Sequence, residues 1–309
     1  MTKIAVVGAG LIGRAWSIVF ARAGFDVSLW DPAAPATTAA LQFIADRLPE
    51  LAEYGLISEP PEIVQRRVRP TGTLEAAVHD ADYVQENGPE RVADKQSLFA
   101  ALDRAARPDA ILASSTSGIP ASAFTENLPG RARVLVAHPV NPPYLMPLVE
   151  LCPAPWTEPE VVGRASDLLS RAGQAPAIIN KEMPGFVLNR LQGALLAEAF
   201  RLVADGVIST ADLDATVKHG LGLRWSFMGP FETIDLNAPG GLADYCERYG
   251  GLYADMQKQM RPRVWSKALV SRLDAARREE LPRNMLATRQ EWRDRRLMAL
   301  LAHKAQQAP

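Results

Sequence analysis

A chain that moves protons near neutral pH needs a side chain that titrates there, and histidine is the usual one. This chain has four: His79, His138, His219 and His303. His79 sits in the polar connection VHDAD, His219 precedes a glycine-rich turn, and His303 lies in the tail. His138 ends an apolar, strand-like run, RVLVAH at 133–138, and begins a proline-filled stretch that closes on Glu150, AHPVNPPYLMPLVE at 137–150. A bare imidazole rotates and takes either tautomer. A carboxylate on one ring nitrogen fixes both and stabilises the imidazolium. The separation of His138 and Glu150 does not suit one helix face, so the chain must fold back to join them. Pro139, Pro142, Pro143 and Pro147 fix φ and stiffen that return. The expectation is a His138–Glu150 pair on a rigid hairpin, in a stretch that is neither helix nor long strand. An imidazole held for structure alone is the competing reading.

A second group of residues points to what such a base would serve. GAGLIG occupies 8–13, directly after the strand-like KIAVV and before a helical stretch. Gly8 turns the chain tightly, Gly10 lets a pyrophosphate approach the backbone, and Gly13 lets helix and sheet pack closely. Leu11 and Ile12 lie between them, where helix-start amides would meet the phosphates. An acid, Asp31, ends the second strand-like run, DVSLW at 26–30. Its carboxylate suits the adenosine ribose hydroxyls and repels a 2′-phosphate, and no Arg or Lys follows until Arg47. NAD rather than NADP is the expected cofactor. Glu90 and Lys95 follow DYVQE at the sheet edge where ligands sit; read singly, each is a solvated helix-start residue.

The elements that must position these groups follow from periodicity. Strand-like runs recur at 82–86, 110–114, 133–138 and 175–180, with helical stretches at 10–24, 91–106 and 158–172. That alternation predicts a doubly wound α/β domain with a mostly parallel sheet. After Pro184-Gly185 only helical patterns remain. GFVLNRLQGALLAEAFRLVADG reads as one helix closed by Gly206, and the next is capped by Ser209 or Thr210. The reading is a dinucleotide-binding domain over 1–183 and an all-helical domain over 184–309.

SSTSG at 114–118 ends another strand. Ser117 there could bond a reacting oxygen, or simply cap a turn. Asn189 in GFVLNR could hold a substrate oxygen, or bond to backbone.

Bulk properties narrow the partners. Formal net charge is -1, which gives no global electrostatic case for nucleic acid or an acidic membrane. Arginines of the tail 261–309 read as a solvated helix face. No apolar run approaches the roughly 20 residues of a bilayer span. Two cysteines, Cys152 and Cys246, suit a reducing compartment, and no cluster suggests a metal. The chain opens on a strand pattern rather than a secretory leader, so a cytoplasmic protein is expected.

Together the motifs resemble the 3-hydroxyacyl-CoA dehydrogenase superfamily along nearly the whole chain. They are GAGLIG, Asp31, STS at 115–117, HPVNP at 138–142, LVE at 148–150 and GFVLNR at 185–190. The resemblance implies an active site of Ser117, His138, Glu150 and Asn189, with Asn141 beside the histidine. It also implies nicotinamide-ribose contacts at Glu90 and Lys95, and a homodimer. The pattern is most similar to the lambda-crystallin / L-gulonate 3-dehydrogenase branch, with carnitine dehydrogenases as near neighbours. Relative to the acyl-CoA enzymes, HPVNP stands for HFFNP, and 36–65 contains no lysine to meet CoA. Arg224 is an addition. A guanidinium forks onto a carboxylate, so Arg224 is expected to select a free hydroxy acid over a thioester. An ion pair with Glu232 or Asp235 is the alternative. The expected activity is oxidation of a 3-hydroxyl by NAD, with L-gulonate first. L-carnitine, a 3-hydroxyacyl-CoA and a crystallin-like NAD-binding structural role are the rivals.

Overall fold

The computed structural model describes residues 2–261 and 263–307. β1 (Lys3–Val7) runs through the glycine turn into α1 (Leu11–Arg22), and β2 (Asp26–Trp30) follows. Next come α2 (Ala34–Glu53), α3 (Pro61–Arg66), β3 (Val68–Pro70), α4 (Leu74–Val78), β4 (Tyr83–Glu86) and α5 (Val92–Ala105). β5 (Ile111–Ser114), α6 (Ser122–Thr125), β6 (Val134–Pro139), β7 (Leu148–Pro153), α7 (Pro159–Arg171) and β8 (Ala175–Ile178) complete an 8-stranded sheet in the order 3-2-1-4-5-6-7-8. β1 to β6 are parallel; β7 is antiparallel to β6, and β8 is parallel to β7.

The central strands are buried along their length because both sheet faces are covered. On one face Val6, Tyr83 and Leu135 share a core with Trp16, Ile18 and Phe20 of α1. On the other, Val7, Val84, Leu112 and Val136 share one with Phe99 and Leu102 of α5. Each such buried side chain contributes about 1.5–3 kcal/mol. The doubly wound, mostly parallel expectation holds.

The stretch 137–150 departs from its expectation. It is not loop throughout, since its end enters a strand, β7. His138 lies within β6 and Glu150 within β7, directly opposite each other in the antiparallel ladder. The prolines do not prevent this: Pro139 ends β6, while Pro142, Pro143 and Pro147 fall between the two strands. Opposed side chains in such a ladder project from the same face about 5 Å apart, so register alone pairs the two groups.

Two compact units emerge. One comprises Met1–Asn189 with Glu291–Pro309, the other Arg190–Gln290. The sequence reading draws one boundary near 184 and gives the whole tail to the helical part. In the structure Met298 is buried in the first core, with Leu297 and Leu301 packed against it. The second unit holds most of α8 (Leu188–Ala204), then α9 (Thr210–Thr216), α10 (Gly222–Trp225), α11 (Pro230–Asp235), α12 (Gly241–Gln257), α13 (Lys267–Glu280) and the start of α14 (Leu286–Ala305). Gly206 follows α8 at φ +72°, and Ser209 caps α9 by accepting the Asp212 N–H at 3.1 Å. Among the described residues this unit contains no strand, and no helix of the chain is long and apolar enough to cross a membrane.

Candidate active site

Hydrogen bonds fix the chemistry of the central pair. His138 Nδ1 lies 2.8 Å from Glu150 Oε2. The other oxygen, Oε1, accepts the backbone N–H groups of Val187 at 2.9 Å and Leu188 at 2.8 Å. Leu188 begins α8, so the carboxylate occupies the positive end of that helix and satisfies two of its unpaired donors. Both side chains are nearly excluded from solvent, at 7% and 2%. A carboxylate held by two amides acts as the acceptor, which assigns the proton to Nδ1 and the lone pair to Nε2. The Phe186 ring lies against the imidazole, centroids 5.3 Å apart.

From α8 the bonding continues to the other expected groups. Asn189 donates from Nδ2 to the Ser117 carbonyl at 2.7 Å, leaving its own oxygen and second N–H available. Glu90 Oε1 accepts the N–H of Ser117 at 2.9 Å and that of Gly118 at 3.2 Å, together with the Thr116 hydroxyl. Among the described residues the Ser117 hydroxyl takes no partner, and its side chain stands exposed. His138, Glu150, Asn189, Ser117 and Glu90 therefore form one connected chain of backbone and side-chain bonds. Asn141 is exposed in the turn after β6.

Lys95 is not the solvated helix-start residue that its position alone suggests: only 1% of it is exposed, and Nζ bonds both oxygens of Glu86, at 2.9 and 3.1 Å. Glu86 is fully buried and also accepts the Ser114 hydroxyl at 2.6 Å and the Gly88 N–H at 2.5 Å. A buried carboxylate demands a cation, and α5 brings Lys95 to it. Glu86 and Phe186 went unnoticed in the sequence reading. A carboxylate ending a strand, with a lysine nine residues on in the first turn of the next helix, was the available signal for the first.

The residues at the other end of the sheet edge fit a dinucleotide. Gly8 has φ +95°, and a Cβ there would stand 2.8 Å from the Asn87 carbonyl oxygen. A Cβ on Gly13 would fall 1.7 Å from the Gly8 carbonyl oxygen. The turn and the packing of α1 on β1 thus require glycine at both positions, while a Cβ on Gly10 would meet open space. Gly10 caps α1 without a side-chain bond, and Leu11 and Ile12 supply the first-turn amides. Asp31 accepts the N–H groups of Ala9 and Ala33, both at 2.8 Å, which ties the glycine turn to the end of β2. Beside Asp31 lies a cavity of about 660 Å³ lined by Trp30, Thr37, Leu41, Thr71 and Leu74, large enough for an adenosine half.

In the second unit Arg224 lies in α10, half-buried. The alternative ion pair with Glu232 or Asp235 does not form: among the described residues no carboxylate meets its guanidinium. Its charge is felt by Tyr245, whose hydroxyl shares a 2.7 Å bond with that of Tyr253. The shared bond raises the Tyr245 phenol above its ordinary value, and Arg224 pulls it back.

This geometry agrees with what the chain resembles. Residues 3–183 match the NAD-binding domain of 3-hydroxyacyl-CoA dehydrogenase, and residues 185–280 match its C-terminal domain. The chain belongs to the 3-hydroxyacyl-CoA dehydrogenase family, whose class is that of NAD-dependent dehydrogenases acting on a CH–OH group. Within the family it falls in the lambda-crystallin branch. It is 42% identical to the lambda-crystallin homolog of Bos taurus, covering 98% of this chain and 96% of that one. An L-carnitine dehydrogenase of Pseudomonas putida is 37% identical over 96% of this chain and 92% of its own. Among solved structures, an NAD+-dependent 5-formyl-3-hydroxy-2-methylpyridine 4-carboxylic acid 5-dehydrogenase superposes with a TM-score of 0.85. It is 27% identical and covered in full, as is this chain.

Proposed function

We propose that this dehydrogenase oxidises the 3-hydroxyl of a small free hydroxycarboxylate, with L-gulonate the first candidate. The observation that carries the catalytic assignment is the His138–Glu150 pair, in which Nδ1 is committed and Nε2 is left as a base. Bound NAD supplies the hydride acceptor. His138 Nε2 takes the hydroxyl proton, and Glu150 stabilises the resulting imidazolium. The free hydroxyl of Ser117 and the remaining amide atoms of Asn189 orient the alcohol oxygen as it becomes a carbonyl. Arg224, with no carboxylate of its own, is available to the carboxylate of the substrate.

L-carnitine is the second reading. It is favoured by the carnitine dehydrogenase relative and by aromatic faces in the second unit. Tyr245 and Tyr249 lie 4.7 Å apart between centroids, and Trp225 and Phe227 are exposed. Such faces suit a trimethylammonium group. A cytoplasmic homodimer accompanies the proposal. Its support is the apolar surface of the second unit, where Val207, Phe231, Leu236 and Val264 are at least 66% exposed.

The test is NADH formation from L-gulonate, L-carnitine, L-3-hydroxybutyrate and L-3-hydroxybutyryl-CoA, measured side by side. Saturable turnover on a free acid, with little on the thioester, supports the proposal. Preference for the thioester overturns it, and NAD binding without turnover on any of the four returns the structural role suggested by the crystallin relatives.

A further inference from the structure

Among the described residues Phe186 is the sole non-glycine with a left-handed backbone, at φ +51°. It follows Gly185, at φ +76°. A bulky L residue rarely takes this conformation, and it persists where the surroundings over-determine it. The surroundings here are those of the base. The Phe186 ring is fully buried and stands 5.3 Å from the His138 imidazole, tilted by 44°. The two amides that follow it, on Val187 and Leu188, both donate to Glu150 Oε1. A right-handed residue at 186 would rotate the following peptides and turn those amides away from the carboxylate.

We infer that Phe186 is a positioning residue for the base. Its ring sets the tilt of the His138 imidazole, and its left-handed backbone aims two amides at the carboxylate that holds Nδ1. The inference rests on the reading of His138 as the base and deepens it. Two substitutions remove the ring in different ways. Glycine accepts the backbone angle but offers no ring. Leucine offers apolar bulk but no flat face, and it strains at this φ as phenylalanine does.

The experiment compares full-length Phe186→Gly and Phe186→Leu with wild type, with Glu150→Gln, and with the Phe186→Leu/Glu150→Gln double variant. Both single variants at 186 are expected to lose about 10- to 100-fold in kcat. Their KM for the acid and their affinity for NAD should stay within about twofold of wild type. Because Phe186 acts on the base that Glu150→Gln already disables, the double variant should be little slower than Glu150→Gln alone. A ring that only fills the core would lower thermal stability without lowering kcat, or would lose rate by a factor that multiplies with that of Glu150→Gln; either result overturns the inference. Where one variant does not fold, the other carries the same measurements. Nitrogen-resolved NMR of the imidazole supplies an arm independent of turnover. The downfield Nδ1–H proton of His138 should be sharp in wild type and broadened or lost in both variants. An unchanged resonance in both overturns the inference even if no hydroxy acid proves to be a substrate, an outcome that would by itself defeat only the functional proposal.

Discussion

Replacing Glu150 by glutamine separates the two tasks of its carboxylate. Oε1 accepts two amides from the start of α8, while Oε2 faces His138 Nδ1 at 2.8 Å. A glutamine has one acceptor oxygen and one NH2 group. The NH2 cannot face two amide donors, so the oxygen must take that side and the NH2 must point at Nδ1. Nδ1 then has to accept, which moves the imidazole proton to Nε2 and removes the base. The expected loss in kcat is about 100- to 10,000-fold, the range for a misplaced general base. Stability should change little, because α8 keeps its cap. Glu150→Ala removes both functions. It strands two amide donors and a nearly buried imidazole, at about 1–3 kcal/mol for each buried group left unpaired. A chain of this size loses about 2–4 °C in Tm per kcal/mol. Steady-state turnover and calorimetry on both variants decide the matter. If Glu150→Gln kept near-wild-type turnover, the tautomer argument would fail. If it lost as much Tm as Glu150→Ala, the division of labour between the two oxygens would fail.

Four further outcomes follow from the same contacts. Lys95→Met strands the fully buried Glu86 and should cost about 3–5 kcal/mol in urea unfolding; a variant as stable as wild type but weak in NAD binding would restore the ribose-contact expectation. Asp31→Ala should raise KM for NAD at least about tenfold and narrow the preference over NADP, and an unchanged ratio of the two cofactors would refute its role as selector. Arg224→Met should raise KM for the free acid far more than for NAD; equal KM values for the acid would remove Arg224 from substrate recognition. Cys152 is fully buried, and burial pushes its thiol up to about 12, whereas Cys246 is exposed. A disulfide-exchange reagent at about pH 8 should therefore titrate one thiol quickly in the native protein and the second only after unfolding.

Local patterns made much of the fold legible. The glycine turn, Asp31 and the helix closed by Gly206 each carry their own signal within a few residues. β3 was missed because three residues, one of them proline, give no periodicity to read. β7 was missed because proline density was weighed as evidence of a loop. Strand pairing supplies the His138–Glu150 contact instead, and register between strands is a long-range property that no single segment displays. Lys95 shows the same limit for charge. In sequence an exposed helix-start lysine and the buried partner of Glu86 look alike, because burial is decided by the packing of α5 on the sheet. The backbone angle of Phe186 was illegible for a further reason: local propensity argues against it, and only the contacts with His138 and Glu150 impose it.

Two glutamates end up buried on the same sheet face, and their partners suit them to different tasks. Glu86 is met by the Lys95 side chain, by a hydroxyl and by an amide. That set ties β4, β5 and α5 together. Glu150 is met by two fixed amide dipoles and by an imidazole. When Nε2 takes up a proton, the same carboxylate already faces the new cation, so no group has to move to receive the charge. A lysine at 138 would close this pair as Lys95 closes the other. Histidine leaves it open at one nitrogen, and that open nitrogen is what the oxidation of an alcohol requires.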